Sequence, residues 1–289
     1  MVEGLKTIRK PVSAWADSRV AELLSRVRSP GLPRHLGDIP SADGNFTFEY
    51  LEGETLRQLP GKDLTPANLQ CWFDQVLDSL ALISLFAGLP FAHLDLSPEN
   101  IVITRQGRAC PIDFASSRFL DGKADLADSS RVLTAGYAAP EIYFGQLCPE
   151  ADLYSLAMSV LAVYSGRMAA ELDGRLIKKI MNQLGRPFAQ RLRACLSEDP
   201  ALRRPAAAGT LYQATLETKS RQEDPREETK TEAAQDLSSA GPSNNRTACP
   251  FQLDDCPFLE LAARFNRVSQ SGNAPESRPD ACYNKPEDS

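Results

Sequence analysis

The segment Ala151–Ser165, reading ADLYSLAMSVLAVYS, limits the fold more than any other part of the chain. Beyond Asp152 it carries no charge, and its apolar side chains occupy every face of a helix rather than one stripe. Such a helix has to be surrounded by other protein or by lipid. The uncharged runs Leu153–Gly166 and Ser79–Leu94 both fall short of the ~20 residues that a bilayer span needs. The helix is therefore expected inside a mainly helical lobe. A second long helix begins at Thr65, a capping residue, with Pro66 suited to its first turn. Leu69, Trp72, Phe73, Val76, Leu77, Leu80 and Ile83 then keep helical spacing up to Gly88. Leu176–Ser197 also reads as helical.

The first part of the chain differs. Residues 13–28 place Val20, Leu23, Leu24 and Val27 on one helical face and stop at Ser29-Pro30-Gly31. Asn45–Leu51 reads as a strand between Asp43-Gly44 and Glu52-Gly53, and Ile101–Thr104 with Ala109–Asp113 reads as a hairpin. The expected fold class is α+β: a small lobe of a few strands and one helix over 1–52, then a larger, mainly helical lobe over 53–216.

Composition excludes several classes. Hydrophobic residues at 42% and charged residues at 24% are globular values, not those of a disordered or collagen-like chain. The net charge of -6 supplies no basic excess for nucleic acid or an anionic membrane, so neither partner is expected. The 7 cysteines form no CxxC pair, and MVEGLKTIRKPVSAW has no apolar signal core. A cytoplasmic location is expected. Residues 217–248 hold one large aliphatic side chain, Leu237, and read as a disordered linker. In the tail over 249–289, Phe258, Leu261, Ala262, Phe265 and Val268 suggest a short helix near 258–268, docked on the domain or on a partner.

The stretch His93-Leu-Asp-Leu-Ser-Pro-Glu-Asn100, followed by Ile112-Asp-Phe-Ala115, carries the chemistry. Asp113 and the Asn100 side-chain carbonyl, presented beside a tight hairpin, suit Mg²⁺ with a polyphosphate, since Mg²⁺ commonly takes one or two carboxylates plus phosphate oxygens. Asp95 is then free to accept a proton from an attacking hydroxyl. Singly, each of these residues could equally be a cap or a turn residue.

Together they resemble the catalytic and metal-binding loops of eukaryotic-type protein kinases. Thr134-Ala-Gly-Tyr-Ala-Ala-Pro-Glu141 resembles the end of that family's activation segment, and Asp152 the aspartate that anchors the catalytic loop. Arg204, after Asp199-Pro200, resembles the arginine that pairs with Glu141. The resemblance covers roughly residues 2–210. It implies ATP and Mg²⁺ as cofactors, Asp95 as base, Asn100 and Asp113 as metal ligands, and His93, Glu141, Asp152 and Arg204 in structural roles. Val2-Glu-Gly-Leu-Lys6 resembles the end of the strand whose lysine holds phosphates, with Glu22 as its partner. Phe48–Glu54 resembles the hinge: the Glu49 carbonyl and Leu51 amide would bond adenine, and Glu54 would approach the ribose.

Four departures from the pattern stand out. No GxGxxG precedes Lys6, so the expectation is either a start truncated relative to the working protein or an incomplete domain. Leu94 replaces the arginine before the catalytic aspartate, Ser97 replaces a phosphate-contacting lysine, and Ala115 replaces the glycine after Asp113-Phe114. Three readings follow: a protein serine/threonine kinase of unidentified protein substrate, a pseudokinase serving as a binding module, and a small-molecule kinase of the aminoglycoside or choline type. Tyr137-x-Ala-Pro-Glu141 and Asp152 favour a protein kinase over the last.

Overall fold

The structure, a computed structural model, describes residues 6–11, 17–37, 45–121, 134–208 and 210–212. The expected linker and the expected helix near 258–268 lie outside the described residues. The architecture is α+β.

Strand β1 (Thr7–Pro11) pairs antiparallel with β2 (Asn45–Glu49), Lys10 facing Phe46 and Thr7 facing Glu49. Between them, helix α1 (Ser18–Arg26) starts at Asp17, whose carboxylate accepts from the Arg19 amide at 3.1 Å. α1 buries Val20, Ala21 and Leu24. After β2 the chain runs through Tyr50–Glu52 into β3 (Gly53–Thr55), which pairs with β5 (Ile101–Thr104). Gly53 is required there: a Cβ would stand 2.2 Å from the Ile103 carbonyl oxygen. β5 and β6 (Ala109–Pro111) form the expected hairpin.

Helix α2 (Pro66–Ala87) has the expected start and stop. Thr65 accepts from the Asn68 amide at 3.2 Å, and Gly88 ends the helix at φ +64°. Strand β4 (Phe91–Ala92) pairs with β7 (Arg118–Phe119), bracketing the loops between them. Helix α3 (Glu150–Ser165) is buried from Glu150 to Val163 apart from Tyr154, as its all-round apolarity demands. The segment read as helical from Leu176 divides into α4 (Gly174–Gln183) and α5 (Arg186–Cys195), because Gly185 takes φ +84°. Among the described residues no helix is long and apolar enough to cross a membrane.

Two side-chain pairings differ from expectation. Lys6 does not meet Glu22. It sits at the Tyr50 end of β1, 71% exposed, with Nζ 3.4 Å from Glu52 Oε1, while Glu22 faces solvent and pairs with Arg26 one turn along α1. Lys10 lies four steps along the chain from Lys6, about 13 Å at the usual strand rise, so register alone decides which lysine reaches the hairpin. Arg204 does not pair with Glu141 either. Arg203 does, wholly buried, and Arg204 turns to Glu150 with Nε 3.0 Å from Oε1. Consecutive residues of the 3-10 segment Pro200–Ala207 point about 120° apart, so only one of the two arginines can face inward.

Candidate functional site

A cleft lies between the β1–β2 pair and the β5–β6 hairpin. Ile8 and Val102 contribute apolar wall, Glu49–Leu51 contribute the connecting edge, and Lys10 and Asp113 stand at the charged end. The Glu49 side chain and amide are both engaged with Arg34, the carboxylate accepting from its amide at 3.0 Å and the Glu49 amide donating to its carbonyl at 2.9 Å. Glu54 is exposed on β3 and is not among the lining residues.

The cleft's cation is Lys10. Its Nζ lies 2.8 Å from Asp113 Oδ2, and the two side chains are 37% and 25% exposed. Strand alternation carried a signal for this: Ile8 and Lys10 share a face, and both line the cleft. Asp113 is one of two described non-glycine residues with positive φ, at +63°, and it caps the 3-10 turn Phe114–Ser116. The other is Leu94, at φ +66°. Ala115, where a glycine stands in related loops, has no such strain.

Asp95 is gripped from two sides. Thr134 Oγ1 donates to Oδ1 at 2.7 Å, and Asn100 Nδ2 donates to Oδ2 and to the Asp95 carbonyl, both at 2.9 Å. Because the Asn100 nitrogen is committed to Asp95, its amide oxygen is left to face elsewhere. The Asn100 carbonyl also accepts from the Ile112 amide at 2.8 Å, holding the turn that bears Asn100 beside the segment bearing Asp113. Burial pushes the Asp95 carboxyl up, and the charges of Asp113 and Glu99 add to this against the Thr134 and Asn100 hydrogen bonds.

The loop is anchored from beneath. Asp152, fully buried on α3, accepts from the amides of His93 at 2.7 Å and Leu94 at 2.9 Å. These bonds fix the left-handed backbone at Leu94. His93 Nε2 lies 3.1 Å from the Ile112 carbonyl, so that nitrogen carries the proton, and the ring packs on Phe114 with centroids 4.8 Å apart. Burial lowers the His93 pKa to about 4, which keeps it neutral. The Leu94 side chain packs with Ala139, Ile142 and Ala151, so apolar contact joins the loop bearing Asp95 to the segment ending at Glu141.

The donor set fits Mg²⁺ shared with a phosphate. Asp113 and the Asn100 amide oxygen supply hard oxygens, and no cage of three or more metal-ligating side chains occurs among the described residues. Three residues escaped sequence reasoning: Lys10 and Arg203, each a near neighbour of the residue expected in its place, and Arg57, which contacts Glu99 and the Thr134–Tyr137 turn.

Comparison with known proteins agrees with this geometry. The family model for the protein kinase domain matches residues 27–233. U-box domain-containing protein 51 of Arabidopsis thaliana is 26% identical over 182 residues, covering 57% of this chain and 23% of its own length. Serine/threonine-protein kinase pkn2 of Myxococcus xanthus is 31% identical over 175 residues, covering 57% and 20%. Dual specificity protein kinase zak2 of Dictyostelium discoideum is 27% identical over 188 residues, covering 62% and 28%. The chain thus spans less than a third of each of these relatives' lengths.

Proposed function

Because this chain belongs to the protein kinase domain family, we propose that it moves the γ-phosphate of ATP to a serine or threonine hydroxyl of a protein. The grip on Asp95 carries this reading. A carboxylate with each oxygen taking one hydrogen bond, Oδ1 from Thr134 and Oδ2 from Asn100, still has lone pairs for a third donor, and an acceptor hydroxyl fits that role.

In this reading adenine enters between Ile8 and Val102 and bonds the main chain of Glu49 and Leu51. Lys10 neutralises phosphate charge. Asp113 and Asn100 would hold Mg²⁺, which supplies charge neutralisation across the phosphates. Asp95 orients the hydroxyl and takes its proton as the oxygen attacks. His93 and Asp152 hold the loop's backbone. Serine/threonine rather than tyrosine acceptors follow the pkn2 likeness.

One observation favours a second reading, a nucleotide-binding module without turnover. Lys10 is paired directly with Asp113, and Glu22, the sole carboxylate of α1, faces away. Titration with ATP, with and without Mg²⁺, separates the two. Under the kinase reading Asp113 would hold Mg²⁺ and Lys10 would turn to the phosphates, so wild-type binding is expected to tighten with metal and Asp113→Asn to lose most of that gain. Lys10→Met weakens MgATP binding about tenfold, the loss of one charge-assisted contact, whereas Lys6→Met leaves it unchanged. Metal-independent binding, or equal effects of the two lysine substitutions, would overturn the assignment.

The Leu94 contact also bears on control. Apolar packing holds the end of the segment with no cation at position 94 to receive a phosphate, so phosphatase-treated protein is expected to transfer phosphate as fast as untreated protein.

A further inference from the structure

We propose that Arg57 is a positioning residue for Asp95, tying together the two arms that grip its carboxylate. The inference rests on the phosphotransfer reading above. Arg57 follows β3, and its side chain is 25% exposed. Nη2 donates to the Tyr137 hydroxyl at 2.5 Å, Nε to Glu99 Oε1 at 3.0 Å, and Nη1 to the Arg167 carbonyl at 3.3 Å. Its own amide donates to the Pro98 carbonyl at 3.2 Å.

Each of the first two partners stands on one arm. The Tyr137 amide closes a turn onto the Thr134 carbonyl at 3.1 Å, and Thr134 is the residue that donates to Asp95 Oδ1. Glu99 directly precedes Asn100, which donates to Asp95 Oδ2. One planar guanidinium therefore sets the separation between the Thr134 hydroxyl and the Asn100 amide. That separation sets the direction in which Asp95 presents its remaining lone pairs. The turn is pressed from its other side as well: Gly136 has φ +83°, and a Cβ there would stand 2.6 Å from the Ala170 amide nitrogen. With the turn backed against that segment and its tyrosine held by Arg57, Thr134 has little room to move. A lysine could reach Glu99 or Tyr137 but has no rigid fork to hold both in register.

The test compares full-length wild type with Arg57→Ala, Arg57→Lys, Tyr137→Phe and the Arg57→Ala/Tyr137→Phe double variant. Peptide phosphorylation is read as kcat and KM, and amide hydrogen exchange is followed at Asn100 and Tyr137. Arg57→Ala is expected to lower kcat about 10–100-fold, the cost of a misplaced catalytic group, with KM for MgATP unchanged. Arg57→Lys recovers only part of the loss, and adding Tyr137→Phe to Arg57→Ala costs little more. Exchange quickens at both amides in Arg57→Ala and not on α3. Full rescue by lysine, a KM for MgATP that rises with the loss of kcat, or additive single effects would overturn the clamp. Should wild type itself transfer no phosphate, the phosphotransfer reading fails separately. The clamp is then judged on exchange alone, and unchanged protection at both amides overturns it.

Discussion

Replacing Asp95 with alanine is expected to lower phosphoryl transfer about 10²–10⁴-fold, the usual contribution of a positioned general base, while MgATP affinity stays nearly constant. The split follows from where the side chain sits. Both of its oxygens are engaged by Thr134 and Asn100, and the cleft's cation, Lys10, pairs with Asp113 instead. Asp95→Asn is the sharper variant because it keeps the volume and removes the proton acceptor. Thr134→Val should fall between the wild type and Asp95→Ala, because it removes one hydrogen bond to the carboxylate without removing the carboxylate. Rapid-quench measurement of a single turnover with saturating MgATP reads the chemical step directly. Undiminished transfer by Asp95→Asn would remove Asp95 from the base role, and weakened MgATP binding in Asp95→Ala would place it among the nucleotide ligands instead.

What could be read from the sequence was whatever the chain encodes locally. His93–Asn100 and Asp113 lie within 21 residues of one another on two loops of one hairpin, so their order in sequence nearly fixes their meeting in space. α2 and α3 announce themselves through a cap, a terminal glycine and apolar density. The lysine was harder. Lys10 lies in β1 and Lys6 just before it, and the pairing of Lys10 with Phe46, across 36 residues, selects between them. Glu22 is the opposite case. At about 100° per residue it lies nearly opposite Val20 and Leu24, the face that α1 buries, so the helical pattern already pointed it at solvent. Arg57 had no local signature. Its side-chain partners lie 42, 80 and 110 residues downstream, and only tertiary packing makes them neighbours.

Arg203→Ala is expected to destabilise the fold by about 3–5 kcal/mol, the range for removing one partner of a buried ion pair. Arg203 is 0% exposed and Glu141 5%. The guanidinium forks onto the carboxylate, with Nη2 2.8 Å from Oε2. Its remaining donors reach the carbonyls of Ser197 at 2.8 Å, Glu150 at 3.3 Å and Glu198 at 3.4 Å, and its Cζ lies 5.2 Å from the Tyr154 ring centroid. All five N–H groups are therefore used, and deleting the side chain leaves the buried Glu141 carboxylate without its cation. Lysine cannot reproduce the fork, so Arg203→Lys should recover little. Arg204→Ala is the control. That side chain is 33% exposed, and water can replace part of its bond to Glu150, so a loss of about 1–3 kcal/mol is expected. Because Glu141 closes the segment that begins at Thr134, the Arg203 variant should also lose transfer before it loses MgATP binding. Denaturant melts of the two alanine variants measure the order. A loss from Arg204→Ala equal to or greater than that from Arg203→Ala would mean that Arg204 is the true anchor of Glu141 in solution.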